Sequence, residues 1–197
     1  TFSGLPNFVS GTLDLGNLTI ERYCPGTPTV LYEGKTYNTI QIGTQGWLRE
    51  NLDVGTMIQG SQNQTNNGVV EKYCYDNDTN NCNTYGGLYQ WNEVMQYVTN
   101  QGTKGICPDG WHLPTLAEFE TLKALVNNDG NSLKEIGQGS GGGAGTNTSG
   151  FSALLSGLLN NSGTFFGLGS YAPFWSSTQS NVDDSYYFGV SNNGSNI

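Results

Sequence analysis

Apolar positions in this chain come in short, separated runs, and their spacing changes along its length. From Val30 to Trp47 (VLYEGKTYNTIQIGTQGW) they alternate around a Glu33-Gly34-Lys35 turn, which predicts a hairpin-type start with Tyr37, Ile40 and Ile42 on a strand. A polar, Asn/Gln-rich loop is expected from Gly55 to Gly68, then a short strand from Val69 to Tyr75. From Leu88 to Thr99 the period lengthens: Leu88, Trp91, Met95 and Val98 fall on one helical face, predicting a first helix. A second helix is expected from Thr115. Thr115 and Glu118 make a capping box, Pro114 precedes it, and Leu116, Phe119, Leu122 and Val126 form the apolar stripe.

After Asn127-Asn128-Asp129-Gly130, one further helical turn is expected at Leu133 to Ile136, and Gly137 to Gly150 (GQGSGGGAGTNTSG) reads as a flexible surface loop. Short runs follow at Phe151–Leu159, Gly163–Phe166, Ala172–Ser177 and Tyr186–Val190, with turn residues between them, so antiparallel strands are expected. Strands, two helices, then more strands argue for an α+β fold with helices packed on an antiparallel sheet. Residues 1–29 read as an N-terminal extension, with one or two strands possible between Val9 and Ile20, and residues 30–197 as the domain proper.

Composition narrows the function. The chain has 197 residues, of which 29 are Gly and only 12% are charged, so amides and hydroxyls make its surface polar. Aromatics at 12% argue against disorder. The net charge is −9 and seven basic residues are scattered, so there is no cation cluster for a phosphate backbone or an anionic membrane. No apolar run is long enough to span a bilayer, so nucleic-acid binding and membrane insertion are not expected. No signal peptide is visible at Thr1, which fits a chain already processed.

Chemistry-bearing residues are few. His112 is the single histidine, so a histidine metal site or a Ser-His-Asp arrangement has no partner motif, and a structural role is expected. Asp76-Asn77-Asp78 offers oxygen ligands of the kind calcium takes, but without the EF-hand glycine and distal glutamate a solvated turn is expected, and no cofactor is assigned. Trp91-Asn92-Glu93 is read as helix core plus surface, and Gly141-Gly142-Gly143 lacks the Lys-Ser/Thr of a phosphate loop. The four cysteines fit no zinc or CxxC pattern. Cys74 and Cys82 close a short polar turn (YCYDNDTNNC) and suit a disulfide, leaving Cys24 and Cys107 as a second pair, with four free buried thiols as the alternative.

Several blocks carry a resemblance. Tyr32-Glu33-Gly34-Lys35-Thr36-Tyr37, Ile40-Gln41-Ile42-Gly43, Trp47-Leu48 and Glu50-Asn51-Leu52 come first. Tyr73-Cys74-Tyr75-Asp76, Cys82, Tyr85-Gly86-Gly87-Leu88-Tyr89, Trp91 and Cys107-Pro108 follow. Gly110-Trp111-His112-Leu113-Pro114-Thr115, Gly150-Phe151-Ser152-Ala153-Leu154 and Phe174-Trp175-Ser176-Ser177-Thr178 complete the set. In this order they resemble the Fibrobacter succinogenes major paralogous domain. That family looks like a branch of the C-type lectin-like fold near the formylglycine-generating-enzyme subgroup. The resemblance implies two helices flanking twisted antiparallel sheets, a ligand surface made by late loops and strands, and a place on secreted or cell-surface proteins. Two departures matter. The family usually closes on a Gly-Phe-Ser-Val-Arg-Cys strand that is not found before Ile197, so a missing or replaced last strand is expected. The oxidase relatives use a late cysteine pair, and no cysteine follows Cys107, so no enzyme is expected.

The tail from Ser180 to Ile197 (SNVDDSYYFGVSNNGSNI) contains only residues that adenine-randomised Asn codons can encode. It therefore resembles the variable region that diversity-generating retroelements write into C-type lectin-like proteins. The expected function is a ligand- or receptor-binding protein on a cell or virion surface, its partner a protein or glycan on another surface, with a fixed carbohydrate-binding adhesin as the alternative. The expected contact residues are Trp175, Ser180, Asn181, Asp183, Asp184, Tyr186, Phe188, Ser191, Asn192, Asn193, Ser195 and Asn196. Tyrosine supplies area at low entropy cost and the small polar residues adapt. Alternation would put Tyr186 and Phe188 on one strand face and Tyr187 on the other.

Overall fold

A computed structural model describes residues 24, 27–181 and 185–197. The extension from 1 to 23, with the possible strands of Val9–Ile20, and Asp183 and Asp184 of the tail lie outside the described residues.

The expected opening hairpin extends to three antiparallel strands, β1 (Thr29–Tyr32), β2 (Lys35–Ile42) and β3 (Gln45–Leu48), with Tyr32↔Lys35 and Ile42↔Gln45 closing two tight turns. Gly34 (φ 78°) and Gly43 (φ 63°) supply the left-handed backbone these turns need. The next elements, β4 (Thr56–Met57) and β5 (Glu71–Lys72), form a short parallel pair.

The cysteine-closed segment is more structured than a polar turn. Helix α1 (Thr79–Tyr85) starts inside it and runs three residues past Cys82, with Asp78 as N-cap accepting from the Asn80 N–H and Gly86 (φ 81°) as C-cap. Cys74 and Cys82 are joined by a disulfide with Cα atoms 5.0 Å apart. The expected Cys24–Cys107 pair is not formed: both are buried free thiols. Burial pushes the Cys107 thiol up to about 12, so it behaves as a small apolar side chain.

The helix expected over Leu88–Thr99 shrinks to α2 (Trp91–Val94). Tertiary pairing overrides the apolar stripe. Leu88 is taken into a bridge with Tyr73, and Gln96 (φ 53°) and Tyr97 (φ 59°) reverse the chain. That reversal brings the Tyr97 hydroxyl 2.7 Å from the buried Glu93 carboxylate, whose other oxygen accepts from the Glu71 N–H at 2.8 Å. Helix α3 (Leu116–Leu125) starts where the capping box places it, and Phe119, Leu122 and Val126 are buried. The turn expected at Leu133–Ile136 lies earlier, as α4 (Gly130–Leu133), capped by Asp129.

Four strands complete the domain: β6 (Ser156–Leu159), β7 (Phe165–Leu168), β8 (Tyr171–Gln179) and β9 (Ser185–Ser191), pairing as antiparallel β6–β7 and β8–β9. The result is a loop-rich α+β fold, with four α-helices and several small sheets among the described residues. Two apolar clusters hold it together. The larger joins β2 and β3, α3, α4, the Phe151–Leu155 segment, and β8 and β9. An aromatic string runs through it, Phe188 on Phe119 (4.7 Å), Phe119 on Trp47 (5.6 Å), Trp47 on Phe151 (5.6 Å) and Phe151 on Phe174 (5.8 Å). The smaller gathers Val54, Val94, Met95, Ile106, Cys107 and Leu113.

Candidate functional site

The tryptophan-containing blocks around His112 and Trp175 are two halves of one clamp. Ser177 is fully buried. Its N–H donates to the Pro114 carbonyl (2.8 Å), its hydroxyl reaches the Leu113 and Pro114 carbonyls (both 3.1 Å), and its oxygen accepts from the Gly102 N–H (2.9 Å). Thr178 Oγ1 accepts from the Leu116 N–H at 3.0 Å, satisfying a donor that the first turn of α3 leaves without an intrahelical partner. Two indoles cross-brace the same region: Trp91 Nε1 donates to the Ser176 carbonyl and Trp175 Nε1 to the Tyr89 carbonyl, each at 2.8 Å.

His112 is held by the other half of the clamp. Its Nε2 lies 2.9 Å from both oxygens of Glu118, and Glu118 also accepts from the Thr115 N–H and hydroxyl. Burial alone would raise the Glu118 carboxyl, but the hydrogen bonds from His112 and Thr115 outweigh it and hold the group below its ordinary 4.5. In the Asp76–Asp78 turn, Asp78 Oδ1 is used by the Asn80 N–H and Asn77 Oδ1 by the Gly60 N–H. Among the described residues no group of three or more His, Cys, Asp or Glu side chains converges as a metal site would require.

The clamp interrupts the β8–β9 ladder. Trp175 pairs with Tyr187, but the next partners are Gln179 and Ser185, so four steps along β8 match two along β9. The three residues between, Ser176 to Thr178, stand against Tyr186 alone, and Ser177 and Thr178 bond to Pro114 and the first turn of α3. Beyond this bulge the hairpin leaves the core, and Tyr186 (42% exposed) and Tyr187 (56%) face outward. Before it, Phe188 and Val190 face inward. The expected alternation therefore fails at Tyr186, because the register shift changes which way the strand faces.

The expected contact residues divide accordingly. Ser180 and Asn181 are exposed near the hairpin tip with Tyr186, while Trp175 is half-buried with its indole N–H committed to Tyr89. Phe188 does not reach a surface: it is buried and stacked on Phe119. Its apolar ring removes more area from water against Phe119 than it would at the rim. Ser191 ends β9 opposite Tyr171, and Asn192, Asn193, Ser195 and Asn196 follow in a docked C-terminal segment in which Asn193 and Asn196 stay exposed. The Lys134 ammonium, itself buried, donates to the carbonyls of Ser191 (2.6 Å), Gly194 (3.0 Å) and Gly143. The Ser140 N–H donates to the Asn192 carbonyl, the Gly130 N–H to the Ser195 carbonyl, and the Asn192 N–H to the Ser170 carbonyl. Desolvation lowers the Lys134 pKa.

This docking overturns the reading of Gly137–Gly150 as a flexible loop. A Cβ on Gly143 would sit 2.2 Å from the Asn192 carbonyl oxygen, so the glycines let the tail backbone pass in contact. Sequence reasoning missed Lys134. A lone lysine between an apolar Leu133 and a glycine-rich run is its only signal, and it does not distinguish a buried cation from a surface one.

Beside the exposed tyrosines lies a cleft of about 1420 Å³. Members of both apolar clusters line it, including Phe119 and Phe151 from one and Ile106 and Leu113 from the other. All four tryptophans line it, together with Tyr171 and Tyr187, whose rings meet edge to face at 6.5 Å. Burial, followed by the hydrogen bond with Tyr187, raises the Tyr171 phenol and keeps it protonated. The remaining lining is rich in amides and hydroxyls.

The model of the Fibrobacter succinogenes major domain matches residues 40–191, which run from the end of β2 through the clamp to the end of β9. No curated protein and no solved structure shows a significant match to the chain. With that match covering most of its length and ending where the docked tail begins, the chain belongs to the Fibrobacter succinogenes major domain family.

Proposed function

We propose that this domain is a ligand- or receptor-binding module of a cell or virion surface, in which a C-type lectin-like scaffold presents the β8–β9 hairpin and the tail is diversified by a retroelement. The supporting observation is how the tail is held. Every contact that fixes Ser191 to Ser195 on Lys134, Ser140, Gly130 and Ser170 is made through tail main-chain atoms, apart from the weak Asn192 Nδ2 to Ser170 bond at 3.4 Å. A tail gripped by its backbone keeps its place when its side chains change. The outward positions, Ser180, Asn181, Tyr186 and Tyr187, are the residue types that recognition surfaces use. The partner is a protein or glycan on an opposing surface, and the surface location rests on the family resemblance.

Sequencing copies of the gene tests this. Differences should concentrate in Ser180–Ile197, at adenine positions of a nearby template repeat, with the outward residues varying and buried Phe188 and Val190 constant. Differences scattered evenly over the domain, or Phe188 varying as freely as Tyr186, would refute the reading.

A further inference from the structure

The cleft beside the hairpin has a chemistry of its own. At about 1420 Å³ it exceeds the ~300–1,000 Å³ typical of small-molecule pockets, so it suits an extended ligand. Its wall combines aromatic side chains with primary amides, of which Trp111, Tyr187, Asn92 and Asn161 serve as examples. Asn92, Asn161 and Tyr187 are exposed and Trp111 is half-buried. Among the described lining residues Arg49 and Glu50 are the formally charged ones and each is already engaged, as is His112, whose Nε2 lies 2.9 Å from both Glu118 oxygens. Arg49 donates to Ser152 Oγ (2.9 Å), and Glu50 accepts from the Asn38 N–H (2.7 Å) and side-chain amide (2.6 Å).

Among these described lining residues no uncommitted charge offsets the desolvation of an ionic ligand, so they offer little to an anion or a cation. The wall matches a molecule with apolar C–H faces and many hydroxyls, which aromatic rings stack against and amides serve as both donor and acceptor. We propose that the cleft binds an uncharged oligosaccharide chain, held by ring stacking and amide hydrogen bonds without a metal ion. This deepens the reading of the domain as a binding module and rests on it, but it places the ligand in the cleft rather than on the outward hairpin face. Tyr187 belongs to both surfaces, whereas Tyr186 lies outside the cleft.

The test titrates the whole chain with neutral glucan, xylan and mannan oligosaccharides, and with sialylated and sulfated ones, in EDTA and in calcium. Intrinsic tryptophan emission is the readout, since every tryptophan lines the cleft. A neutral oligosaccharide should shift the emission equally in both buffers. The double variant N92A/N161A, both at exposed positions, should weaken binding about tenfold or more, and Y187A by a similar factor. Y186A should bind as the parent does. Melting curves of each variant separate lost binding from lost folding. If no neutral oligosaccharide binds, if binding requires calcium, if only charged glycans bind, or if N92A/N161A binds like the parent, the cleft proposal fails. Failure here leaves the gene-copy pattern unaffected, so the two readings fall separately.

Discussion

Lys134 illustrates how a single side chain fixes a surface several residues away from it. Its ammonium lies out of water, where an unpaired charge is costly, and three main-chain carbonyls offset that cost. Replacing it with Met removes the charge-assisted bonds and leaves those carbonyls without their donor, so K134M should lose about 2–4 kcal/mol in urea unfolding. Ser177 holds the clamp in the same way, and S177A should cost about 1–3 kcal/mol, because buried Leu113, Pro114 and Gly102 groups lose a partner. Glu118 gives the clamp a pH dependence. Its folded-state carboxyl titrates below the ordinary 4.5, so the stability it contributes is fully present above that value and is lost as pH falls through the lower folded value. Melting temperatures measured from neutral pH downward should show this acid limb, and E118Q should flatten it.

Elements differ in how far their sequence determines them. Helix α3 was legible because its signals are local: Thr115, Glu118 and an apolar stripe lie within one segment. The strands of the first and last sheets were legible for the same reason, through alternation and turn residues. The stripe from Leu88 to Val98 was equally local and gave the wrong length, since Leu88 pairs with Tyr73 at one end and the left-handed backbone at Gln96 and Tyr97 ends the helix at the other. Helix α1 carries no apolar face, so periodicity does not reveal it, and its usable signals were Asp78 before it and Gly86 after it. The late hairpin was half legible. A strand after Trp175 was readable, but the bulge that turns Tyr186 outward and Phe188 inward depends on contacts with Leu113, Pro114 and Leu116 far back in the chain. Phe188→Ala should therefore cost about 3–5 kcal/mol by chemical denaturation. Tyr186→Ala should stay within about 0.5 kcal/mol.

At the scale of the whole molecule, two apolar clusters flank one cleft, and the late hairpin lies along its edge. The disulfide ties down α1 rather than joining distant parts of the chain, since only eight positions separate its cysteines. Its reduction should lower stability by about 2–3 kcal/mol without dissolving the fold. Comparing thermal unfolding with and without reductant measures that difference. No helix among the described residues is long and apolar enough to cross a membrane.

The clamp also sets the order in which this molecule can assemble. The N-terminus of α3 obtains one of its donors' partners from Thr178, 62 positions later, and Trp91 bonds to Ser176 across 85. Loop-closure entropy has to be met before such contacts contribute, and chains dominated by them fold slowly. During synthesis, residues 116–125 emerge well before the strand that completes them. Until Ser176–Thr178 arrives, both walls of the cleft lack their common brace, so the cleft is among the last parts of the domain to form and is gained or lost together with β8.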